Sequence, residues 1–434
     1  MTANVERFEK ELERLNRVET PDWLKSYRLK AMARFRELGW PDKRQENWKY
    51  TSLKPLSEKT FVVEAVAPAF SQATLEPLRI AGALELVFID GKFREDLSRV
   101  RQEKGIEWKS LRETLRGKSA LTDLTGRKAE ENNAFTVLNS AFVSDGVWLR
   151  IADNMRFETP IHFLHYSVSG SLASHPRSLV RVGKGASASL VETFAGRGDC
   201  DALTNSVTEL DLDANSELHH VQIQESAHPA FQLSRTLVAQ GRDSRFDSLV
   251  VQFGGQLTRN ELEVRLEGEN AQCRLDGLFV AGGDAHVDNY TTVDHLVPHG
   301  SSSQLYKGIL GGSSTGVFNG RVVVEKNAQK TDARQTNKNL LLTDEATINT
   351  KPQLEILADD VKCTHGATIG QIEEEPLFYL RSRGIGESDA RSLLTFAFAS
   401  EVLSRVGQAP IREHLERRLR LGFSRVGLAG KEMP

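Results

Sequence analysis

Hydrophobic residues near the start of the chain recur at intervals of three and four positions. The first stripe consists of Val5, Phe8, Leu12 and Leu15. A second stripe runs from Leu24 to Leu38, after Pro21 and before Gly39. This spacing places each stripe on one face of a helix, and proline and glycine are typical of helix starts and ends. The pattern therefore predicts two amphipathic helices that pack on a core.

The pattern changes to that of strands from about residue 80. Leu84–Ile89 is an apolar run, and Asp90–Gly91 after it is typical of a tight turn. Phe135–Ile151 repeats this arrangement, with Asp145–Gly146 as the turn between two predicted strands. We therefore expect a mixed α/β segment before the central part of the chain.

Almost no helical periodicity remains between Pro160 and about Ile369. Short β-branched runs recur instead, separated by Gly, Asn and Asp, and they include Ile161–Val168, Ser189–Phe194, Leu218–Ile223, Ser248–Phe253 and Gly320–Val324. Such strands fit a solenoid, a sandwich or a barrel. We favour a β-solenoid because the series is long and hairpin dipeptides are sparse within it, although no clean repeat length emerges.

Helical periodicity returns after Ile372. The predicted helices are Pro376–Arg383, Leu393–Val406 and Pro410–Leu421. The predicted fold is therefore mainly β. It has an N-terminal helical and mixed α/β region (1–155), a parallel β-solenoid core (156–370) and a C-terminal α-helical domain (371–434).

Composition narrows the choice of partners and compartment. Lys and Arg total 56 against 59 Asp and Glu, so the formal net charge is -3 and no strong positive field would attract nucleic acid. No apolar run approaches the roughly 20 residues of a membrane span, and the first residues lack the apolar segment of a signal peptide. The three cysteines have neither disulfide-framework nor C-x-x-C spacing. We therefore expect a cytoplasmic protein without nucleic-acid or membrane partners.

Motifs of two common catalytic classes are missing from the chain. It contains no G-x-S-x-G nucleophile elbow, and Ser301–Ser303 reads as a loop. The glycine-rich stretches also lack the G-x-x-x-x-G-K-[ST] arrangement that holds phosphate. We therefore expect that the chain is not an enzyme.

The eleven histidines suggest metal sites only weakly. Their closest groupings are His162 with His165, His219 with His220, and His295 with His299. Neighbouring residues of a strand point to opposite faces, so His219 and His220 cannot share an ion without help. His295 and His299 flank Pro298 in a predicted loop. Hydrogen-bonded or surface histidine is the plainer interpretation of all three groupings.

Candidate ligands are most concentrated in Asp359–Gly366. Cys363 and His365 are two residues apart, so on a strand both side chains project from one face and could share an iron or zinc ion. Lys362 beside Cys363 is expected to lower the pKa of the thiol. Two ligands make half a site. Either another chain supplies the rest, or the pair is structural.

The same region resembles a known family. The matching segments are Gln329–Leu342, Pro352–Ile356, Asp359–Thr368, Leu377–Ile385 and, more loosely, Ser303–Gly308 and Phe135–Asn139. These segments are similar to those of the SufB/SufD family of iron–sulfur cluster assembly scaffold subunits. The resemblance covers about the C-terminal two-thirds of the chain.

Two positions make the chain more like SufD than like SufB. SufB-like chains carry an assembly cysteine where this chain has Lys338, and a lysine cannot replace a thiolate. They also read His-Glu-Ala-Thr where this chain reads His365-Gly366 before Ala-Thr. The segment Glu46–Tyr50 is likewise SufD-like.

The resemblance implies a right-handed parallel β-helix and a non-catalytic subunit of a SufBCD complex. It implies a heterodimer with SufB joined along its helices, the ATPase SufC docked on the C-terminal helical part, and possible homodimers of the isolated chain. His365 and Cys363 would be ligands of a nascent iron–sulfur cluster shared with SufB, which forms transiently and only in the complex. The interface residues would include Lys338, Asn339 and Thr364. The SufC-docking residues would be Leu377, Phe378, Tyr379, Leu393, Leu394, Phe396 and Phe398.

Two alternatives from other classes are open. A β-helix enzyme that processes polysaccharide fits the solenoid, but no paired catalytic carboxylates stand out and such enzymes are usually exported. A structural homo-oligomer that binds no metal also fits, and it would retain no iron when SufB is present.

Overall fold

The computed structural model describes residues 2–17, 20–64, 70–117, 132–226 and 228–425. The helices are α1 (Thr2–Arg17), α2 (Asp22–Leu38), α3 (Lys54–Ser57), α4 (Leu111–Thr114), α5 (Ala134–Phe142), α6 (Glu374–Ser382), α7 (Glu387–Leu403) and α8 (Ala409–Arg425). Short 3-10 helices occupy Glu46–Trp48, Gln72–Thr74, Glu76–Leu78 and Glu95–Leu97.

Strands account for most of the chain between the two helical regions. They are β1 (Leu84–Ile89), β2 (Lys92–Phe93), β3 (Ile106–Ser110), β4 (Gly146–Ile151), β5 (Ile161–Ser167), β6 (Ala173–Ser174), β7 (Arg177–Val182), β8 (Ser187–Gly196), β9 (Leu203–Leu212), β10 (Glu217–Glu225), β11 (Phe231–Gln240), β12 (Arg245–Phe253), β13 (Leu257–Leu266), β14 (Gln272–Ala281), β15 (His286–His295), β16 (Ser301–Leu310), β17 (Thr315–Val324), β18 (Asp332–Leu341), β19 (Thr347–Ile356) and β20 (Lys362–Gly370). Strands therefore begin well before residue 156, because β1 and β4 already join the sheets described next.

The strands form two long sheets that the chain enters alternately. Sheet I has the order β2-β1-β5-β8-β10-β12-β14-β16-β18-β20, and sheet II has the order β19-β17-β15-β13-β11-β9-β7-β4-β3. From β5 and β7 onward every pair along these sheets is parallel. Parallel pairing between alternate strands makes a solenoid of about eight turns. The solenoid prediction is confirmed, and the sandwich and barrel alternatives are wrong.

One corner of the solenoid carries a repeating backbone conformation. Successive coils place a residue there in the left-handed region, at Asn154, Gly185, Asn215, Asp243, Asn270, His299 and Lys330. Glycine, asparagine and aspartate tolerate this conformation best, which explains their recurrence between the strands. The positions are 27 to 31 residues apart, so this corner reveals the coil length.

The interior of the solenoid and both outer faces are packed. Inside, Phe246 and Leu275 of sheet I meet Val238 and Val264 of sheet II. On the outer face of sheet II, helices α1, α2 and α5 cover apolar side chains that include Leu233. On the outer face of sheet I, helices α7 and α8 cover the row that includes Val221, Leu249 and Val251. The β-core thus carries one helical region on each outer face.

One predicted strand is wrong, because Phe135–Phe142 lies in helix α5 instead. The side chain of Asn133 caps this helix by accepting hydrogen bonds from the amides of Phe135 (3.1 Å) and Thr136 (3.0 Å). All nine residues of α5 are buried. A short segment that is buried on every side need not show a clear apolar stripe, so the pattern could not separate helix from strand. The strand predicted after Asp145–Gly146 does form, as β4.

Among the described residues, no helix has both the length and the apolar character needed to cross a membrane.

Candidate functional site

The last coil of the solenoid, made of β19 and β20, is paired on one side only. β19 pairs with β17 and β20 with β18, and each lies at the end of its sheet. No other described strand pairs with the outer edges of β19 and β20. Three large apolar side chains are exposed at this end, namely Ile356, Leu357 and Ile369. Free strand edges with exposed apolar side chains are typical of surfaces that pair with another chain.

The backbone register shows which groups of these strands remain free. The amide of Lys362 donates to the carbonyl of Thr331 (2.8 Å), so in this parallel ladder the even-numbered residues of β20 bond to β18. The amides and carbonyls of Cys363, His365, Ala367 and Ile369 therefore point away from the solenoid. On β19 the amide of Thr347 donates to Ser314 (2.9 Å), which leaves the even-numbered residues at the free edge. Pro352, which has no N–H, occupies one of these free-edge positions, as expected for proline in a strand.

Cys363 and His365 lie on the same face of β20, as their spacing predicted. Cys363 is half-buried and packs against the interior apolar core, so this face is the inner one. His365 is exposed at the open end of the interior, in register with buried Gln335, and makes no hydrogen bond or ion pair with any described residue. Its imidazole is therefore available to a ligand or to a partner.

The expected effect of Lys362 on the thiol is wrong. Burial raises the pKa of Cys363 above its ordinary value. Lys362 itself is exposed and lies on the opposite face of β20 from the sulfur. Cys363 would therefore have to lose its proton on binding a metal, whereas a neutral imidazole at His365 would not.

The three predicted interface residues occupy different faces of the last two coils. Lys338, on β18, is on the outer face of sheet I, in register with Thr368 of β20. Thr364 is exposed on the same outer face, in register with Arg334. Asn339 is buried and donates to the carbonyl of Thr368 (3.2 Å), so it braces β20. The structure brings Lys338 and Thr364 to one face, and places His365 on the other.

The predicted docking residues for an ATPase divide into exposed and packed side chains. Phe378 and Tyr379 of α6 are 72% and 56% exposed. Leu377 is buried, and Leu393 and Leu394 are half-buried. Phe396 and Phe398 are half-buried against the outer face of sheet I. Only the α6 aromatics are therefore largely open to a partner in this structure.

A group of charged residues that sequence reasoning missed fixes α7 to the sheet. Lys307 on β16 donates to the carbonyl of Phe398 (2.8 Å) and pairs with the carboxylate of Glu401. The second oxygen of Glu401 lies 3.8 Å from the ammonium of Lys338. Burial lowers the pKa of Lys307. The hydrogen bond from Lys307 lowers the pKa of Glu401. A lysine within the strand Ser301–Leu310 was the sequence signal, but its partner lies 94 residues away.

Two of the other histidine groupings consist of hydrogen-bonded or surface side chains. His220 is buried inside the solenoid against Glu192 (3.0 Å), while His219 faces Asp247 on the outside (3.4 Å), so the two do point apart. His295 is not in a loop: it ends β15, is fully buried and hydrogen-bonds to Ser302 (2.9 Å). The loop predicted for Ser301–Ser303 is also wrong, because these serines begin β16. A run of polar residues at the end of a strand looks like a loop in a sequence. In the structure, the stacking of the coils buries such residues.

No group of three or more His, Cys, Asp or Glu side chains in the described residues could hold a metal ion. Within this part of the chain, Cys363 and His365 thus remain two ligands of an incomplete set.

Comparison with known proteins gives matches over most of the chain. Residues 165–398 match the family described as SUF system FeS cluster assembly, SufBD core domain, and residues 4–163 match the SufBD protein N-terminal region. A SufBD family protein of Synechocystis is 34% identical over 391 residues, 86% of each chain. The iron–sulfur cluster assembly protein SufD of Escherichia coli is 31% identical over 388 residues, 85% of this chain and 89% of its own. SufD of Bacillus subtilis is 26% identical over 418 residues, 91% of this chain and 93% of its own.

Proposed function

This chain belongs to the SufBD family of iron–sulfur cluster assembly proteins, and from that membership we propose that it is the SufD-type subunit of a cytoplasmic assembly complex. In this proposal it is a scaffold without catalytic activity of its own. It pairs with a SufB-type subunit, and a SufC-type subunit supplies the ATPase activity. The nascent cluster is cargo that is held between the two scaffold subunits.

The free edges of β19 and β20 are the observation that supports pairing with a related subunit. A homologous solenoid with the same open end can add one strand to each sheet and satisfy the free backbone groups. The exposed side chains of Ile356, Leu357 and Ile369 would be buried in the same contact. This geometry favours joining through the strand edges, rather than along the helices as the sequence resemblance implied.

His365 is the proposed cluster ligand of this chain. Its exposed imidazole lies at the end of the solenoid interior, close to the edge where the second subunit would pair. Cys363 can add a thiolate from the same face once its proton is displaced. The remaining ligands would come from the SufB-type subunit, which fits a chain that presents only two candidates at this end.

The α6 aromatics are the proposed contact of the SufC-type subunit. Phe378 and Tyr379 project from a short helix that follows β20 directly, after only Gln371–Glu373. The buried and half-buried residues of the predicted docking set would hold this helix against the rest of the protein. A subunit that binds α6 would thus act next to the terminal strand.

Co-expression with SufB- and SufC-type subunits tests the proposal. The wild-type chain should be recovered in one complex with both partners, and the complex should bind iron and sulfide. His365→Ala should leave recovery of the complex unchanged and reduce its iron and sulfide content. Lys362→Ala is the matched control, because Lys362 is also exposed on β20 but lies on the opposite face of the strand. Equal cluster content of His365→Ala and wild type would refute the ligand role, and failure of the wild type to form any complex would refute the proposal.

A further inference from the structure

We propose that Glu401 is the positioning residue through which the helices α6 and α7 set the place of the last coil. This inference rests on the proposed function, in which α6 receives one partner and the last coil receives the other. Glu401 lies on α7, outside the strands, and binds lysines of two successive coils.

Lys307 provides the first half of this link. Its side chain is buried on the outer face of β16, and all partners of its ammonium among the described residues are on α7. These partners are the carbonyl of Phe398, the carboxylate of Glu401 and the ring of Phe398, whose centroid is 4.1 Å away. Hydrogen bonds to a buried charge are the stronger ones in proteins, so this contact fixes the end of α7 on the sheet.

Lys338 carries the link to the end of the solenoid. It is in register with Lys307 on one side and with Thr368 of β20 on the other. Glu401 therefore reaches the strand that directly supports β20. Because β20 has no neighbour on its outer edge among the described strands, β18 alone holds it within the sheet.

The chain itself provides a second connection between the same two parts. β20 ends at Gly370 and α6 begins at Glu374, so these elements are joined by three residues. α6 in turn packs beside α7. A displacement of α6 would thus pull on β20 through the chain, while Glu401 resists it through Lys307 and Lys338.

The end of α7 borders open space. An open groove of about 720 Å³ lies beside the end of α7, and its lining includes Arg334, Lys338, Glu401 and Arg405. Beside the groove, Arg405 pairs with Asp276 (2.8 Å), which adds a contact to a third coil. The end of α7 is thus held beside open space by a few separate ion pairs. Each of these ion pairs can break while the others remain.

Hydrogen exchange on the isolated full-length chain tests the link without any partner. Glu401→Gln keeps the shape of the side chain and removes its charge. It should accelerate exchange of the amides of 362–370 that bond to β18 by up to about fivefold, the effect of losing a half-exposed ion pair such as that with Lys338. Exchange in 245–253 of β12, which three strands of sheet I separate from β20, should not change. Asp389→Asn is the matched control, because Asp389 is a carboxylate on the same helix that forms no ion pair with any described residue. Unchanged exchange in 362–370, or equal acceleration throughout the core, would overturn the positioning role.

Lys338→Met provides a second variant in case Glu401→Gln folds poorly. It removes only the half-exposed ammonium that pairs with Glu401 and leaves the contact of Glu401 with Lys307 in place. It should therefore accelerate exchange in 362–370 but not in the α7 segment around Phe398. Unchanged exchange in 362–370 of a well-folded Lys338→Met chain would overturn the link from Glu401 to β20.

The assembled complex separates this inference from the proposed function. Glu401→Gln should be recovered with both partners like the wild type but bind less than half as much iron and sulfide. Full cluster content of the Glu401→Gln complex would overturn the inference and leave the proposed function standing. If the wild-type chain forms no complex, the proposed function fails, whatever the exchange data show.

Discussion

The guanidinium carbon of Arg259 lies 3.9 Å from the ring centroid of Trp48. Arg259 is on β13 of sheet II and also pairs with Asp288 on β15. Thr51, three residues after Trp48, donates to the same Asp288 (2.5 Å). Glu46, two residues before Trp48, pairs with Lys351 on the terminal strand β19. The segment Glu46–Thr51 is thus a strap across sheet II from β13 to the last coil.

Trp48→Ala should destabilise the chain through loss of this strap contact. Trp48 is 5% exposed and packs on Phe135, and truncating a buried aromatic side chain costs about 3–5 kcal/mol. Urea unfolding of the isolated chain measures the change in the free energy of unfolding. Tyr50→Ala is the control, because Tyr50 in the same segment is 36% exposed and should cost about 1 kcal/mol or less. Equal losses for the two variants would contradict a special role of Trp48.

Stability should fall as the pH drops from 7 to 5. Burial lowers the pKa of five histidines to about 3 or 4, and these are His162, His165, His175, His295 and His414. In the unfolded chain they titrate near 6.5, so between these values the unfolded state binds more protons and becomes favoured. Burial raises the pKa of Asp276 and Asp294 to about 6, which acts in the opposite direction below pH 6. Because the five histidines outnumber the two aspartates, the melting temperature should decrease from pH 7 to pH 5. A melting temperature that does not change over this range would contradict the lowered pKa values of the histidines.

His165→Phe isolates one of these histidines. The ring of His165 is stacked between Phe88 (4.7 Å) and Phe194 (4.8 Å), and neither ring nitrogen has a partner among the described residues. A phenyl ring keeps the stack and cannot bind a proton. The variant should lose about 1.4 kcal/mol per pH unit of the pH dependence between about 6.5 and 4. His219→Gln should leave this range unchanged and alter stability only above about pH 6.5, because the hydrogen bond to Asp247 raises the pKa of His219 and its stabilising contribution is lost as the pH rises.

Much of the architecture could be predicted because burial leaves a local pattern. Leu218–Ile223 and Ser248–Phe253 carry apolar side chains on both faces, and both lie inside predicted strands that the structure confirms. The coil length was hidden because its marker is a backbone conformation shared by residues as different as Asn215, His299 and Lys330. Stacked coils need the same corner geometry, but they do not need the same residue type there.

In the candidate site, too, the sequence predicts contacts between residues that are close along the chain and misses those between distant residues. The shared face of Cys363 and His365 follows from a spacing of two residues on a strand, so the sequence was enough. The contact of Lys307 with Glu401 joins residues 94 positions apart, and no local pattern reports such a pair. The last coil was also difficult, because Thr347–Ile356 is an edge strand without the apolar run of a central strand.

Ala367→Pro should weaken binding to a SufB-type partner while sparing the fold of this chain. The amide of Ala367 points to the free edge of β20, whereas Gly366 and Thr368 make the bonds to β18. Proline therefore removes a donor that only a partner strand would use. The terminal strand of sheet II, β19, already carries a proline, Pro352, at a free-edge position.

The dissociation constant of the pair and the free energy of unfolding of the isolated chain together check this prediction. Loss of one interface hydrogen bond of about 1–3 kcal/mol should weaken binding roughly tenfold or more, with about 1 kcal/mol or less lost in the isolated chain. Thr368→Pro is the counterpart, because it removes a bond to β18 and disturbs the carbonyl that Asn339 braces, so it should destabilise the isolated chain. If Ala367→Pro binds the partner as tightly as the wild type, the partner does not pair with the edge of β20. The exposed apolar side chains at this end would then need another explanation.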